Sequence, residues 1–296
     1  MDKEAKRNLD PGVFKVFLTA AIIFVGLGII LILESGKSSK LQIHFCDVGQ
    51  GDGYFVATSL GDQILIDGGS GTKISQCLSR YIPFWDREIE LMLVTHPQQD
   101  HMEGQIDVFN KYKVGKVLWT GATNEPVEFY KVWKKDLDKS GAQLRYARRG
   151  DVVDAGEVTF EILWPTDEEM QVFASNKNED LNRTSIVSRM VVKSSGDCVY
   201  FTGDIPFEIL DRLLDKKCQV LKVAHHGSKT GTSSLTVKEA SAEMAIVSVG
   251  KNNRYGHPVP GVLEMFDKAG VRILRTDLLG DINLVYDKKL GKFQQE

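Results

Sequence analysis

The hydrophobic and polar positions divide the chain into an apolar N-terminal segment and a long remainder of short alternating runs. Residues 16–33 carry no charged side chain, and residues 13 and 14 extend the apolar segment across Lys15. A helix of about 20 apolar residues spans a hydrocarbon core of about 30 Å. The pattern therefore predicts a transmembrane signal anchor over residues 13–33, behind a tail of residues 1–12. A cleaved signal peptide and a buried core helix are the two alternatives.

Basic residues on the two sides of the uncharged run predict its orientation. Two follow it, Lys37 and Lys40, within a small, polar linker of residues 34–40. Four precede it: Lys3, Lys6, Arg7 and Lys15. Because basic flanks tend to stay on the cytoplasmic side, we expect a cytoplasmic N-terminus, a single pass through the cell membrane and a large extracytoplasmic domain.

Beyond residue 40, short β-prone runs follow one another, separated by turns that contain glycine. These runs occupy residues 41–48, 52–58, 62–69, 89–96, 114–121, 158–165, 184–194, 197–204, 218–227, 244–250, 271–276 and 280–287. Helical patterns cover residues 127–140, 205–215, 236–242 and 259–269. Two strand-rich halves, each followed by helices, predict one mixed α/β domain over residues 41–296. Two sheets would pack face to face with helices on the outside.

Composition narrows the function without naming it. Hydrophobic residues make up 42% and charged residues 26% of the chain, as in ordinary globular proteins. The formal charge of −3 argues against a protein that coats nucleic acid, but not against an enzyme that holds one phosphate at a metal. Four cysteines without a Cys-x-x-Cys pair are too few for a disulfide scaffold. Cys46 and Cys198 lie in apolar runs, where we expect buried free thiols.

The histidines are concentrated at the ends of predicted strands. One of the six, His44, lies inside the first strand and is expected to be a packed core residue. The other five directly follow apolar strands: His96, His101, His225, His226 and His257. Taken singly, their motifs are also typical of a capped turn, a surface histidine pair or a Gly-Pro turn. Together with Asp100 and Asp204, which also follow strands, they predict a site for Zn²⁺ or Mn²⁺ built from imidazole and carboxylate.

The ordered set of motifs resembles a known superfamily. The motifs are DVGQGD (47–52), ILIDGG (64–69), THPQQDH (95–101), NRTS (182–185), TGD (202–204), HHGS (225–228) and YGHP (255–258). They resemble the metallo-β-lactamase superfamily and, more narrowly, the hydrolase domain of ComEC-type DNA-uptake proteins and the related phosphorylcholine esterases. The resemblance implies an αββα sandwich whose metal ligands lie on loops along one edge of the two sheets.

The resemblance also implies a set of metal ligands. These are His96, Gln98, Asp100, His101, Asp204 and His225. Gln98 stands where the family motif has a histidine, and no histidine occurs between His101 and His225. The first metal site would then keep His96, Gln98 and the bridging Asp204. The second would use Asp100, His101, Asp204 and one imidazole of the histidine pair, with His225 and His226 both open as that ligand.

Further roles follow from the same resemblance. Asp67 and Asp52 are expected to orient ligand histidines, with a plain turn residue as the alternative for Asp52. Three residues are expected to take part in catalysis: Asp100 by holding the attacking water, His257 by contacting a phosphoryl oxygen or protonating the leaving group, and His226 by contacting substrate. Three more are expected to bind substrate: Asn182, Ser185 and Ser228.

The function that this pattern favours is metal-assisted hydrolysis. One or two Zn²⁺ or Mn²⁺ ions would lower the pKa of water from 15.7 toward about 7. The favoured substrate is a phosphodiester, in nucleic acid or another phosphate ester, with the enzyme attached to the membrane through its N-terminal helix. The alternatives are hydrolysis of another ester or amide, such as cell-wall phosphocholine or a β-lactam, and a metal-poor, non-catalytic surface module. Gln98 is the observation behind the last alternative. The sequence indicates no protein partner.

Overall fold

The computed structural model describes residues 11–35, 40–124, 127–176 and 179–296. The chain separates into two units, Met1–Lys37 and Ser38–Glu296. Residues 1–10 of the predicted tail and residues 36–39 of the predicted linker lie outside the described residues.

In its described residues, the first unit contains the helix α1 (Pro11–Ser35), which covers the predicted apolar segment. Several of its large apolar side chains are exposed, including Val16, Phe17 and Phe24. Among the residues that the structure describes, no helix is both long enough and apolar enough to cross a membrane.

The second unit is built from fifteen strands and nine short α-helices in its described residues. The strands are β1 (Gln42–Phe45), β2 (Tyr54–Ala57), β3 (Gln63–Ile66), β4 (Glu88–Leu93), β5 (Lys113–Trp119), β6 (Gln143–Tyr146), β7 (Val152–Ala155), β8 (Val158–Trp164), β9 (Val187–Val192), β10 (Cys198–Phe201), β11 (Val220–Lys222), β12 (Met244–Val247), β13 (Arg272–Arg275), β14 (Ile282–Asp287) and β15 (Lys292–Gln295). The helices are α2 (Lys73–Tyr81), α3 (Gln99–Met102), α4 (Gly104–Lys111), α5 (Glu128–Ser140), α6 (Asp167–Ser175), α7 (Phe207–Leu210), α8 (Ser234–Ala240), α9 (Pro260–Lys268) and α10 (Thr276–Leu279). Two 3₁₀ helices cover Leu181–Thr184 and Ala224–Gly227.

The strands form two sheets of the same design. One sheet has the order β15-β14-β1-β2-β3-β4-β5-β6 and the other β13-β12-β11-β10-β9-β8-β7. In each sheet one half is antiparallel, and the run β3 to β6 or β10 to β13 is parallel. Parallel neighbours end at the same edge of a sheet, so the loops that follow them are brought together there.

Side-chain alternation explains why both sheets are buried on both faces. In β3, Ile64 and Ile66 point into the core between the sheets, whereas Leu65 packs under the outer helices with Ile74 and Trp133. This period of two is what a pleated strand imposes. A third cluster covers the outer face of the second sheet. The predicted sandwich of two sheets with helices outside is thereby confirmed.

Single elements agree with the sequence patterns in most places. The predicted helices near residues 127–140, 236–242 and 259–269 correspond to α5, α8 and α9. His44 is a packed strand residue, as expected: its Nδ1 lies 2.7 Å from Asn283 Oδ1 and its ring stacks on Tyr81.

The helix predicted over residues 205–215 is wrong in extent, because only α7 is helical and the chain then turns. Asp211, at the end of α7, accepts a hydrogen bond from Ser233 of the α8 cap, so a tertiary contact fixes this turn.

The expectation of free cysteines is wrong. Cys46 is joined to Cys77 on α2, and Cys198 on β10 is joined to Cys218 just before β11. The partners are 31 and 20 residues apart in sequence and become neighbours only through the fold. Cysteine spacing alone therefore did not reveal either bridge.

Candidate metal centre

The candidate site lies at the edge where the parallel strands of both sheets end. Asp67 follows β3, and His96 and His101 follow β4 in the first sheet. Asp204 follows β10 and His226 follows β11 in the second sheet. The sequence separates these residues by up to 159 positions, but the topology delivers all five to one place.

Three residues form the centre of the site. His101 Nε2 and His226 Nε2 each lie 3.3 Å from Asp204 Oδ2. His226 Nε2 is also 3.5 Å from Asp100 Oδ2. Ligand atoms within 4.8 Å of one another occur in the sets His96–His101–Asp204 and Asp100–His101–His226. The sets share His101, so the geometry offers one or two adjacent cation positions.

The residues fit a divalent metal. The Nε2 atoms of His101 and His226 and the Oδ1 atom of Asp204 are buried without a hydrogen-bond partner among the described residues. Leaving such groups unsatisfied costs about 1–3 kcal/mol each. Imidazole nitrogen and carboxylate oxygen converging on a shared point are the donors that Zn²⁺ and Mn²⁺ take in proteins.

The ligand imidazoles are held by their other nitrogens. His101 Nδ1 lies 2.9 Å from Asp67 Oδ2, and His226 Nδ1 donates to the carbonyl oxygen of Ser248 at 2.9 Å. Asp67 is itself fixed, since it accepts hydrogen bonds from Thr95 N at 2.8 Å and Thr95 Oγ1 at 2.6 Å. These contacts aim both Nε2 atoms into the site, which is the arrangement expected for oriented metal ligands. Asp67 thus contacts His101, and its role in orienting that imidazole for a metal stays a prediction.

Below the ligands lies a buried ion pair that the sequence analysis missed. The Lys222 ammonium pairs with Asp52 Oδ2, donates to Gly203 O at 2.9 Å and lies 3.7 Å from Asp204 Oδ1. Asp52 also approaches both imidazoles, with Oδ1 3.3 Å from His226 Nδ1 and Oδ2 3.7 Å from His101 Nδ1. Lys222 and Asp52 are fully buried. The sequence signal that could have indicated this ion pair is Lys222 itself. It is a charged residue inside the apolar run 220–224, which ends directly before the histidine pair.

The charges of this cluster move the pKa values of its members. Burial is the largest influence on Asp52 and favours the neutral acid, yet the Lys222 ammonium and the two imidazoles together hold its pKa at about 2. Burial alone would lower the pKa of His101 and His226, but the Asp204 and Asp52 carboxylates raise both well above the ordinary 6.5. Without a metal, both imidazoles are therefore protonated at neutral pH.

The predicted first metal site is poorer in imidazole. His96 is fully buried, and burial together with the His101 charge lowers its pKa to about 3. Gln98 Oε1 lies 3.2 Å from His96 Nε2, so the amide oxygen faces the same space as the ring nitrogen.

Ser185, predicted to bind substrate, is fully buried instead. Its hydroxyl accepts from Asp204 N at 3.1 Å and lies 3.3 Å from His96 Nδ1, so it braces two candidate ligands.

The geometry favours His226 over His225 as the ligand of the histidine pair, a choice that the sequence left open. His226 is buried and belongs to the ligand sets, whereas His225 belongs to none of them among the described residues. His225 Nε2 is 3.7 Å from Asp204 Oδ2, and its side chain is partly exposed. The reason is local: His225 and His226 have consecutive positive φ angles of 52° and 55°, a conformation that residue patterns do not reveal.

The remaining predicted residues lie around the site in different settings. His257 is half-buried, and burial together with the nearby His225 lowers its pKa. The Ser228 hydroxyl lies 3.1 Å from Thr230 Oγ1 within the turn that carries the histidine pair. Asn182 is nearly buried in the 3₁₀ helix, and its Oδ1 has no hydrogen-bond partner among the described residues.

Comparison with other sequences gives relatives among bacterial competence proteins. The chain is 30% identical over 279 residues to the ComE operon protein 3 of Bacillus subtilis, covering 86% of this chain and 34% of that protein. It is 29% identical over 256 residues to competence protein ComA of Neisseria gonorrhoeae, covering 83% and 32%. The chain thus spans about a third of the length of the curated relatives it matches. No family model matches the sequence.

Comparison with solved structures identifies the fold. The metallo-β-lactamase fold protein YhfI of Bacillus subtilis aligns with a TM-score of 0.53 and 12% identity, covering 80% of this chain and 96% of that chain. CmlA, a diiron β-hydroxylase from Streptomyces venezuelae, aligns with a TM-score of 0.54 and 14% identity, covering 83% and 54%. Identities this low establish the fold alone. The domain has the metallo-β-lactamase fold that its motifs predicted.

The buried ion pair gives a prediction for stability. In metal-free protein, Lys222→Met should lower the free energy of unfolding by about 3–5 kcal/mol, because it leaves the Asp52 carboxylate buried without its cation. Urea unfolding followed by fluorescence measures this. Asp52→Asn added to Lys222→Met should recover much of the loss. Lys113→Met, which removes an exposed partner of Glu88, is the matched control and should change little. Equal effects of the two lysine substitutions would refute the role of the pair.

The raised pKa values of His101 and His226 give a prediction for pH. Their protonated forms stabilise the metal-free fold below pH 6.5, and this contribution is lost as the pH rises through the raised values. A metal must displace these protons. Titrating Zn²⁺ or Mn²⁺ at pH 7 should therefore release at least about one proton per ion, with affinity increasing toward higher pH. Calorimetry in two buffers of different ionisation enthalpy measures the release; affinity independent of pH would contradict it.

Proposed function

We propose that the domain is a metal-dependent hydrolase that cleaves phosphodiester bonds in nucleic acid or a related phosphate ester. The convergence of His101 Nε2, His226 Nε2 and Asp204 Oδ1, which have no hydrogen-bond partner among the described residues, carries the metal-dependent part of this proposal. The resemblance of the ordered motifs to the hydrolase domain of DNA-uptake proteins supports the phosphodiester. The similarity to two competence proteins supports it further.

The chain's own residues divide the chemistry between them. A divalent ion bound here would polarise the phosphoryl group and lower the pKa of the attacking water. Burial would raise the pKa of Asp100, but the neighbouring His226 and His101 imidazoles lower it, so Asp100 is ionised at neutral pH. It can therefore accept a hydrogen bond from that water. His257 is neutral because its pKa is lowered, so it suits donation of an N–H to a phosphoryl oxygen better than protonation of a leaving group.

We also propose that this activity lies outside the cytoplasmic membrane. Two observations support the location. Basic residues are more frequent before the uncharged run than after it. All four cysteines are paired, and disulfides persist mainly in oxidising compartments.

An activity assay tests the function. Full-length protein, stripped by a chelator and reloaded with Mn²⁺ or Zn²⁺, should cleave bis-p-nitrophenyl phosphate and single-stranded DNA but not nitrocefin. Asp204→Ala should reduce the rate by more than about 100-fold, beyond the usual effect of an outer-sphere partner, and Gln98→Ala by less. Asp138→Asn, on an exposed face of α5, is the matched carboxylate control and should change nothing. Cleavage of nitrocefin alone would favour an amide hydrolase, and absence of metal binding would favour a non-catalytic module.

The location has its own test. Protease added to intact protoplasts should digest the domain, and the four cysteines should stay unreactive toward maleimide in denaturant until a reductant is added. A domain that resists protease until lysis, with four reactive thiols, would place it in the cytoplasm.

A further inference from the structure

An exposed aromatic side chain stands at the rim of the candidate metal centre. Tyr255 lies in the loop between β12 and α9, and β12 is one of the parallel strands that end at the site edge. The side chain is 56% exposed. Among the described residues, Tyr255 belongs neither to the candidate metal-ligand sets nor to the hydrophobic core.

The loop holds this ring in a fixed place. Asn253 donates through Nδ2 to Gly250 O at 3.0 Å and to His257 O at 2.8 Å, and its Oδ1 accepts from His257 N at 3.0 Å. Gly250 packs so closely on Gln50 that a Cβ there would lie 2.7 Å from the Gln50 nitrogen. The loop is thus held by its own hydrogen bonds and by packing against the 47–52 loop. These contacts fix the backbone around Tyr255, so we call its ring the platform, a surface on which a planar group can stack.

Ring contacts connect Tyr255 to the reacting centre. The Tyr255 and His257 rings lie 5.8 Å apart and nearly parallel, and the His257 and His225 rings are also 5.8 Å apart. His225 in turn approaches Asp204 at 3.7 Å. A cleft of about 340 Å³ lies between Tyr255 and Asp100. A group stacked on Tyr255 would therefore belong to a substrate whose scissile bond reaches the metal ligands.

A cation accompanies the ring. Arg254 lines the same cleft, with its Nη2 donating to the Tyr255 hydroxyl at 3.2 Å and its guanidinium carbon 5.3 Å from the ring centroid. The guanidinium lies over the ring and near its hydroxyl, and the arginine itself is exposed. An aromatic face beside an arginine is the combination that proteins use to hold single-stranded nucleic acid, with the base on the ring and the phosphate at the cation.

We propose that Tyr255 stacks on the nucleobase next to the scissile phosphodiester while Arg254 contacts a flanking phosphate, which makes single-stranded nucleic acid the preferred substrate. The inference rests on the proposed phosphodiesterase function and adds its specificity-determining residues. Duplex is disfavoured because its bases are already paired and stacked, and withdrawing one has a free-energy cost.

Two strands that differ only in their bases test the platform. Full-length protein with Mn²⁺ is assayed on an oligothymidylate and on an abasic strand of the same length and phosphate number. Tyr255→Ala should raise KM for oligothymidylate by about five- to 100-fold, the range for losing one stacked base, and leave KM for the abasic strand unchanged. Tyr255→Phe should behave as wild type. Arg254→Gln should raise KM on both strands and reduce the dependence of KM on salt.

A control and a second readout separate this inference from the proposed function. Phe84→Ala removes an even more exposed ring that precedes β4, at the opposite edge of the sheet, and should change neither strand. Fluorescence anisotropy measures binding of the same strands without cleavage. Loss of oligothymidylate binding in Tyr255→Ala, with no cleavage by wild type, would support the platform and overturn only the phosphodiesterase. Equal effects of Tyr255→Ala on both strands, or none on either, would overturn the platform.

Discussion

The arrangement of this domain depends on the burial of acidic groups at one edge of a sandwich. Asp52, Asp67 and Asp204 are almost fully buried there, and Asp100 stands beside them. Uncompensated carboxylates in such surroundings would be far too costly to keep ionised. The Lys222 ammonium and the protonated imidazoles of His101 and His226 supply part of the compensation, and the shifted pKa values record it. A divalent cation would supply the remaining positive charge. The same buried carboxylates therefore make the fold costly without a cation and make the site able to bind one.

The mixed sheets make this concentration of charge possible. Their antiparallel halves close the sandwich, while the parallel halves end together and place residues from both sheets in contact. The inner faces bury apolar side chains such as Ile64 and Phe201, which gives the polar edge a rigid base. The hydrogen bonds from Thr95 to Asp67 and from His226 to Ser248 then fix the site on strand ends and not on free loops.

The sequence was informative wherever a residue's role follows from its position after a strand. Apolar runs with a period of two predicted the strands. The polar residues that follow these strands, such as His101 and Asp204, predicted the site. The ion pair of Lys222 was not predicted, because Lys222 lies in an apolar run and the residue pattern does not show that Asp52 packs beside it. The choice between His225 and His226 depends on two positive φ angles, and the Cys198–Cys218 pair on the register of β10 against β11. The residue pattern shows neither the backbone angles nor the strand register. The burial of Ser185 was not predicted either, because its motif does not show which way the hydroxyl points.

The direction of β1 has a consequence for access. The chain enters the domain before Gln42 and reaches the 47–52 loop at the far end of that strand, so the entry point and the catalytic edge are opposite ends of the same sheet. Four strand residues separate them by roughly 13 Å of backbone at about 3.3 Å per residue. The first residues of the domain therefore lie about one strand length from the loops that follow the parallel strands. Under the proposed function, a substrate would therefore meet the loops at the catalytic edge and not the end of the sheet where the chain enters the domain.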